Sequence, residues 1–250
     1  MNILRLQNIF LIAILFLPVH RLLADEAPDN GPHIQYHDNG KKKSDVLYRS
    51  GKKSGMESEY WPDGSTKMTE RYYKQGKQFG LEKLWYEDGQ KKSIAHYNGG
   101  KQDGKEEASY PNGKKDNEMH YKAGEKHGRG IDWDANGVKL SEEHYKNDQL
   151  EGRSTYWNAA GKKTEESRHK GGKPHGRSTK WYDNGEKSSE AHYHHGERHG
   201  TLNEWHENGK KWSESHYENG KIEGRFQAWD ENGHRMSMPE YLKSKPKDDK

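Results

Sequence analysis

Glycine recurs along this chain in three interleaved columns, and any fold it adopts must respect their period. The first column is Gly40, Gly64, Gly89, Gly113, Gly137, Gly161, Gly185, Gly209 and Gly233, with steps of 24 residues and a single step of 25. The second is Gly55, Gly80, Gly104, Gly128, Gly152, Gly176, Gly200 and Gly224. The third is Gly51, Gly76, Gly100, Gly124, Gly172, Gly196 and Gly220, with Asp148 where a glycine is due. An aromatic precedes the first glycine by four residues at Tyr36, Tyr60, Trp85, Trp133, Trp157, Trp181, Trp205 and Trp229; Ser109 breaks that column. A tyrosine column follows at Tyr48, Tyr97, Tyr121, Tyr145, Tyr193, Tyr217 and Tyr241, with Tyr72 or Tyr73 beside the extra residue and His169 as a replacement. So many columns in step identify a repeat architecture of seven complete units, 55–223, with a partial unit at each end.

Each unit holds two runs rich in Thr, Tyr, Trp and Ser, separated by turn signals, and neither run carries a 3.6-residue apolar stripe. Asn-Gly at 39–40, 112–113, 136–137, 184–185, 208–209 and 232–233, and Asp-Gly at 63–64 and 88–89, predict hairpins closed by type I′ turns. The expected fold is therefore all-β: repeated antiparallel β-hairpins in 24-residue units, joined into one long twisted single-layer sheet. Which aromatics share a face depends on the turn. A two-residue turn puts Trp205 opposite Trp212 with Tyr217 pointing away, and a bulge reverses this.

The pattern W-x-x-N-G-K-K, then E-x-H-Y, then N-G-K-x-x-G is carried by Trp205, Asn208 to Lys211, Glu214 to Tyr217, Asn219 to Lys221 and Gly224. It resembles the MORN repeat, and more closely the variant found in bacterial YwqK-family proteins, which are named as antitoxins. The resemblance covers residues 33–241. It implies stacked β-hairpins and brings no catalytic residues.

Residues 1–24 have the form of a secretory signal peptide: Arg5, then the apolar run Ile9 to Val19, then Leu22-Leu23-Ala24 before Asp25. The run is well short of the ~20 residues of a spanning helix. The expected location is periplasmic or extracellular, with anchoring by an uncleaved segment as the alternative, since Leu22 and His20-Arg21 disfavour cleavage. Residues 25–32 read as a linker, 33–241 as the array and 242–250 as a disordered charged tail. The chain has no cysteine, so neither a disulfide framework nor a lipidated cysteine is available to it.

Only 28% of the residues are hydrophobic and 33% are charged. No two-layer core can be built from that, so the aromatic columns must cover the sheet. Trp85, Trp133, Trp157, Trp181, Trp205 and Trp229 are therefore candidates for fold and binding surface together. Exposed rings of this kind suit sugar stacking or a bound cation.

His96, His120, His144, His192 and His216 form a further column, and Glu118, Glu142, Glu190 and Glu214 stand two residues before four of them. Residues i and i+2 of a strand share a face, which predicts Glu–His pairs, and an Arg168–Glu166 pair where arginine replaces the histidine. Histidines of one column lie ~9.5 Å apart, too far to share an ion. No metal and no cofactor is expected; the residual metal candidates are His192, His194, His195 and His199. Without residues 1–24, which hold Arg5 and Arg21 and no acid, the net charge falls from +3 to +1, which argues against a nucleic-acid partner. The lysine pairs after the turns (Lys41-Lys42, Lys91-Lys92, Lys114-Lys115, Lys162-Lys163, Lys210-Lys211) suit an anionic lipid or wall surface.

No nucleophile elbow, zinc-protease motif or phosphate loop is present, and every Ser, His and Glu belongs to a repeating column or a turn. The expectation is an exported, non-enzymatic scaffold for a protein partner. The alternatives are an antitoxin-like immunity protein and a cell-wall or glycan binder. Unpaired sheet ends also permit end-to-end self-association.

Overall fold

A computed structural model describes residues 27–244; the segments 1–26 and 245–250, which include the expected signal peptide, lie outside the described residues. The described chain is one open antiparallel sheet of 22 strands built from repeated hairpins, followed by one short helix, Met238–Ser244. Strands pair in chain order, each with its neighbours on either side. The all-β expectation holds. The sheet begins at Gly31, inside the segment expected to be linker. Tyr241 lies on the helix instead of closing the tyrosine column on a strand, and Leu242 to Ser244 belong to that helix instead of to a tail. Pro239 accounts for the change: it sits in the helix's first turn, where its missing N–H costs nothing, whereas in a strand it would remove a ladder bond.

The Asn-Gly turns are not the type I′ turns expected of them. At Asn39-Gly40 the glycine N–H donates to His37 O at 2.8 Å, and His37 N–H donates to Lys41 O at 2.8 Å. Gly40 has φ +78° while Asn39 is not among the left-handed residues. This is a three-residue loop closed by a glycine bulge, not a two-residue type I′ turn. Asn39 Oδ1 accepts from Lys41 N–H at 3.0 Å, and its Nδ2 donates to Pro62 O in the next repeat at 2.8 Å. Asn112, Asn184 and Asn208 repeat both bonds. The asparagine thus ties one turn to the next. The turns with two left-handed residues are instead those joining successive hairpins, such as Ser50-Gly51 (φ +49° and +67°) and Gln75-Gly76 (φ +53° and +78°). Their second residue also bonds across repeats: Gly76 N–H to Lys53 O at 2.8 Å and Gly196 N–H to Pro174 O at 2.9 Å.

The bulge does not reverse the faces as expected of it: its shift is confined to the loop end of the pair, and Trp205 and Tyr217 stay on opposite faces, as the two-residue count has them. Register shifts at Glu204/Trp205, so Trp205 pairs with Lys211 and not with Trp212. Leu202 stands opposite Ser215 and Glu204 opposite Ser213, so these lie with Tyr217 on one face. Asn203, Glu214, His216 and Trp205 lie on the other. The most deeply buried positions are small: Ser213 is 0% exposed, Ser154 1% and Ala228 1%. They lie beneath aromatic rings and the stems of long charged side chains, which do the work of a second layer.

Candidate interaction face and histidine cluster

The face bearing tryptophan is closed by the protein's own charges. Lys115 Nζ lies 5.3 Å from the Trp133 ring centre, Lys139 5.1 Å from Trp157, Lys163 5.2 Å from Trp181 and Lys187 5.7 Å from Trp205. The same lysines hold the glutamates: Lys139 Nζ bonds Glu142 at 2.8 Å, Lys163 bonds Glu166 at 2.8 Å and Lys187 bonds Glu190 at 2.7 Å. Arg129 adds a second bond to Glu142 at 2.9 Å. Hydrogen bonds from Arg129 and then Lys139 hold the Glu142 carboxyl at about 2. The expected Glu–His pairs therefore do not form, because lysine and arginine reach those carboxylates first. Nor does Arg168 take Glu166, which goes to Arg153 at 2.8 Å and Lys163. The histidines turn to the backbone: Nδ1–H of His96, His120 and His144 donates to the carbonyls of Lys105, Arg129 and Arg153 at 3.1, 2.9 and 3.1 Å. These carbonyls follow the bulge glycines, where the ladder is interrupted.

The opposite face carries the tyrosines, and its composition changes along the array. The positions facing the tyrosine column are Glu57, Glu82 and Glu106, then Gly130, Ser154 and Ser178, then Leu202 and Phe226. In the acidic part, burial and next the neighbouring glutamate push Tyr73, Tyr97 and Tyr121 up to about 12. In the middle part, Tyr145 and Tyr156 both donate to Glu143. In the apolar part, the C-terminal helix docks. Tyr241 is 5% exposed; its ring centre lies 5.3 Å from that of Trp212 and 4.7 Å from that of Phe226, and its hydroxyl donates to Glu204 Oε2 at 2.7 Å. A groove of about 1010 Å³ lies alongside, lined by Tyr241, Leu202, Tyr217 and Trp212 and reaching Ser189 and Lys180 of the preceding repeat. The sequence does not show this groove, because the tyrosine period places its key ring, Tyr241, in the strand column.

The six candidate tryptophans thus share the lysine-covered face and do not line the groove. Of the four residual metal candidates, His194 and His195 come together, and His199 lies 5.8 Å from His194 between ring centres. His192 stands apart, its Cβ beside Gly200. The third member of the cluster is His175, from the preceding repeat. The signal that finds it is the turn ladder, which bonds Gly196 to Pro174 and so sets residue 175 beside residue 195.

The sequence profile described as MORN repeat variant matches residues 29–50, 80–98, 102–123, 126–147, 174–195 and 198–221, together more than half of the chain. Each match begins near a first strand and runs through the second. The two hairpins between matches keep the same register, Gly55 opposite Tyr73 and Gly152 opposite His169. No curated protein matches the chain. Among the described residues, no helix is long and apolar enough to cross a membrane.

Proposed function

The chain belongs to the MORN repeat variant family, and on that premise we propose that it is a non-enzymatic scaffold that holds a protein partner along its tyrosine face. Repeats of this family commonly mediate protein or membrane interaction. One observation carries the choice of face: the chain's own helix already seats an aromatic residue there, with Tyr241 between Trp212 and Phe226 and its hydroxyl on Glu204. The adjoining groove continues beyond the helix with the same ingredients, tyrosine rings over small side chains. A partner segment with a tyrosine or another aromatic that can donate a hydrogen bond would find there what the helix finds. The tryptophan face supports the reading less, because its rings already carry lysine ammonium groups. Export is part of the proposal, supported by Arg5 and the apolar run Ile9 to Val19.

The test is site-specific photocrosslinking in cells of the source organism. Crosslinkers at Ser189 and Lys180 sit on the tyrosine face, and crosslinkers at Thr201 and Asn203 on the other. The proposal expects one protein captured from the first pair and not from the second. Capture from Thr201 and Asn203 alone, or no protein adduct together with co-sedimentation on cell-wall sacculi, would overturn it.

A further inference from the structure

Three imidazoles converge where two repeats meet, and we propose that His175, His194 and His195 form a binding site for a transition-metal dication of the zinc class. Their ligating nitrogens all lie within 4.8 Å of one another. Ring centres are 5.3 Å apart for His175 and His194, 5.2 Å for His175 and His195, and 4.3 Å for His194 and His195. His175 is half-buried and the other two are exposed.

The repeat fold places these residues together, and only here are all three places filled with imidazole; His127 takes the same slot as His175 but faces Lys146-Asn147. In two other repeats the slot before the bulge glycine holds a carboxylate that accepts from the first residue of the neighbouring turn. Asp103 accepts from Ala123 N–H at 3.2 Å, and Glu151 from Gly171 N–H at 2.8 Å. His175 occupies that slot, and its Nδ1 accepts from His195 N–H at 3.4 Å. The two positions that end the strand and begin the turn are Lys74-Gln75, Lys122-Ala123, Lys146-Asn147 and Lys170-Gly171 in other repeats. Here they are His194-His195, so a lysine that would repel a dication is replaced by a ligand. His195 holds φ +51°, and Gly196 is bonded to Pro174 O at 2.9 Å, so the backbones of the two repeats are tied beneath the rings.

Zinc bound at ~2.0–2.1 Å by imidazole in a tetrahedron needs nitrogens about 3.4 Å apart. Closing the present spacing to that value calls for the two exposed rings, His194 and His195, to turn about their χ angles. Three neutral nitrogen donors select zinc, copper, nickel or cobalt, and they do not suit calcium or magnesium, which take oxygen ligands. The fourth position is left to water or to His199. A metal held this way links adjacent repeats.

The full chain, free of any histidine tag, is titrated with zinc chloride by calorimetry in a non-chelating buffer, with magnesium chloride as the control ion. Two variants use residues that neighbouring repeats already carry at the same places, His194→Lys and His195→Gly, and therefore preserve the fold. His216→Ala, outside the cluster, is the control. The expected result is one equivalent of zinc bound by the wild type and by H216A, affinity reduced about tenfold or more in H194K and H195G, and no heat with magnesium. Circular dichroism confirms that the variants are folded. Absence of zinc heat in the wild type, or unchanged zinc binding in both H194K and H195G, overturns the site.

Discussion

Tyr241 donates its hydroxyl to Glu204 at 2.7 Å, joining the only helix among the described residues to the strand Gly200–Trp205, and this one bond lies at the apolar end of the tyrosine face. Glu204 also accepts from Ser213 Oγ, so the carboxylate couples the helix to both strands of the last complete hairpin. Burial and then this carboxylate raise the tyrosine's pKa, keeping the hydroxyl a donor throughout the physiological range.

Tyr241→Phe keeps the ring packing and loses the donor. A hydrogen bond to a charged acceptor contributes about 1.5–3 kcal/mol, so the helix should loosen while the sheet stays intact. Tyr241→Ala also removes the ring and should undock the helix. Amide exchange within 238–244 should rise modestly in Y241F and approach that of a free peptide in Y241A, with strands before Trp181 unchanged. Equal protection in all three proteins would show that the helix is held by something other than this side chain.

Trp181→Ala combined with Trp205→Ala should lower the melting temperature clearly. Both rings are half-buried under Lys163 and Lys187, and this cover is lost when they are truncated. Lys163→Ala alone should cost about 0.5–1 kcal/mol for the exposed cation–ring contact and about 0.2–1 kcal/mol for the pair with Glu166. An unchanged circular dichroism melt for the double tryptophan variant would return those rings to the surface role that the sequence also allowed.

Acid should unfold the array from the lysine–glutamate face. Hydrogen bonds from lysine or arginine lower Glu142, Glu70, Glu166 and Glu190, and Glu142 reaches about 2. A depressed carboxylate contributes stability that is complete above the unfolded value of about 4.3 and is lost as pH falls through the folded value. The carboxylate contribution to thermal melts should therefore be level from pH 7 to near 5 and fall steadily below it. Glu142→Gln should start lower at pH 7 and lose less between pH 5 and 3. Parallel curves for variant and wild type would show that this carboxylate is not a source of acid sensitivity.

Gly104 has the largest positive φ among the described residues and a close neighbour as well. Its φ is +118°, and an added Cβ would meet His96 Cβ at 3.0 Å. Gly104→Ala should destabilise by about 1–3 kcal/mol, read as a lower urea midpoint, whereas Gly185→Ala, with open space around it and φ +93°, carries the backbone cost without the contact. Identical midpoints for the two variants would mean that His96 yields freely.

Much of this was legible in the glycine, tryptophan and tyrosine columns, because a hairpin repeat fixes turn positions by sequence alone. Three features were not. Asn-Gly is the commonest two-residue turn signal, yet here asparagine bonds sideways to the next repeat, and the loop opens by one residue to allow it. The glutamates choose lysine over histidine because competition among donors depends on side-chain reach across strands. His175 joins a cluster twenty residues away for the same kind of reason: its neighbours are set by stacking between repeats and not by position within one.

His169 stands in the tyrosine column, opposite Gly152, and it makes the clearest case for a stabilising change. The residue is half-buried, its Nδ1 lies 3.3 Å from Ser154 Oγ, and burial lowers its pKa from the ordinary histidine value, against the opposing pull of Glu165 and Glu143. The sign follows from the lowered value. Above the unfolded pKa of about 6.5 neither state is protonated there and the position is neutral. As pH falls below it the unfolded chain takes a proton that the folded chain resists, so stability drops until the folded group also titrates. His169→Tyr restores the ring that Tyr145 and Tyr193 supply in the adjacent repeats. It should raise the melting temperature at pH 7 by burying a larger ring, and raise it further at pH 5.5 by removing the proton-linked loss. A variant whose advantage is no larger at pH 5.5 than at pH 7 would show that the imidazole takes its proton as readily in the fold as out of it.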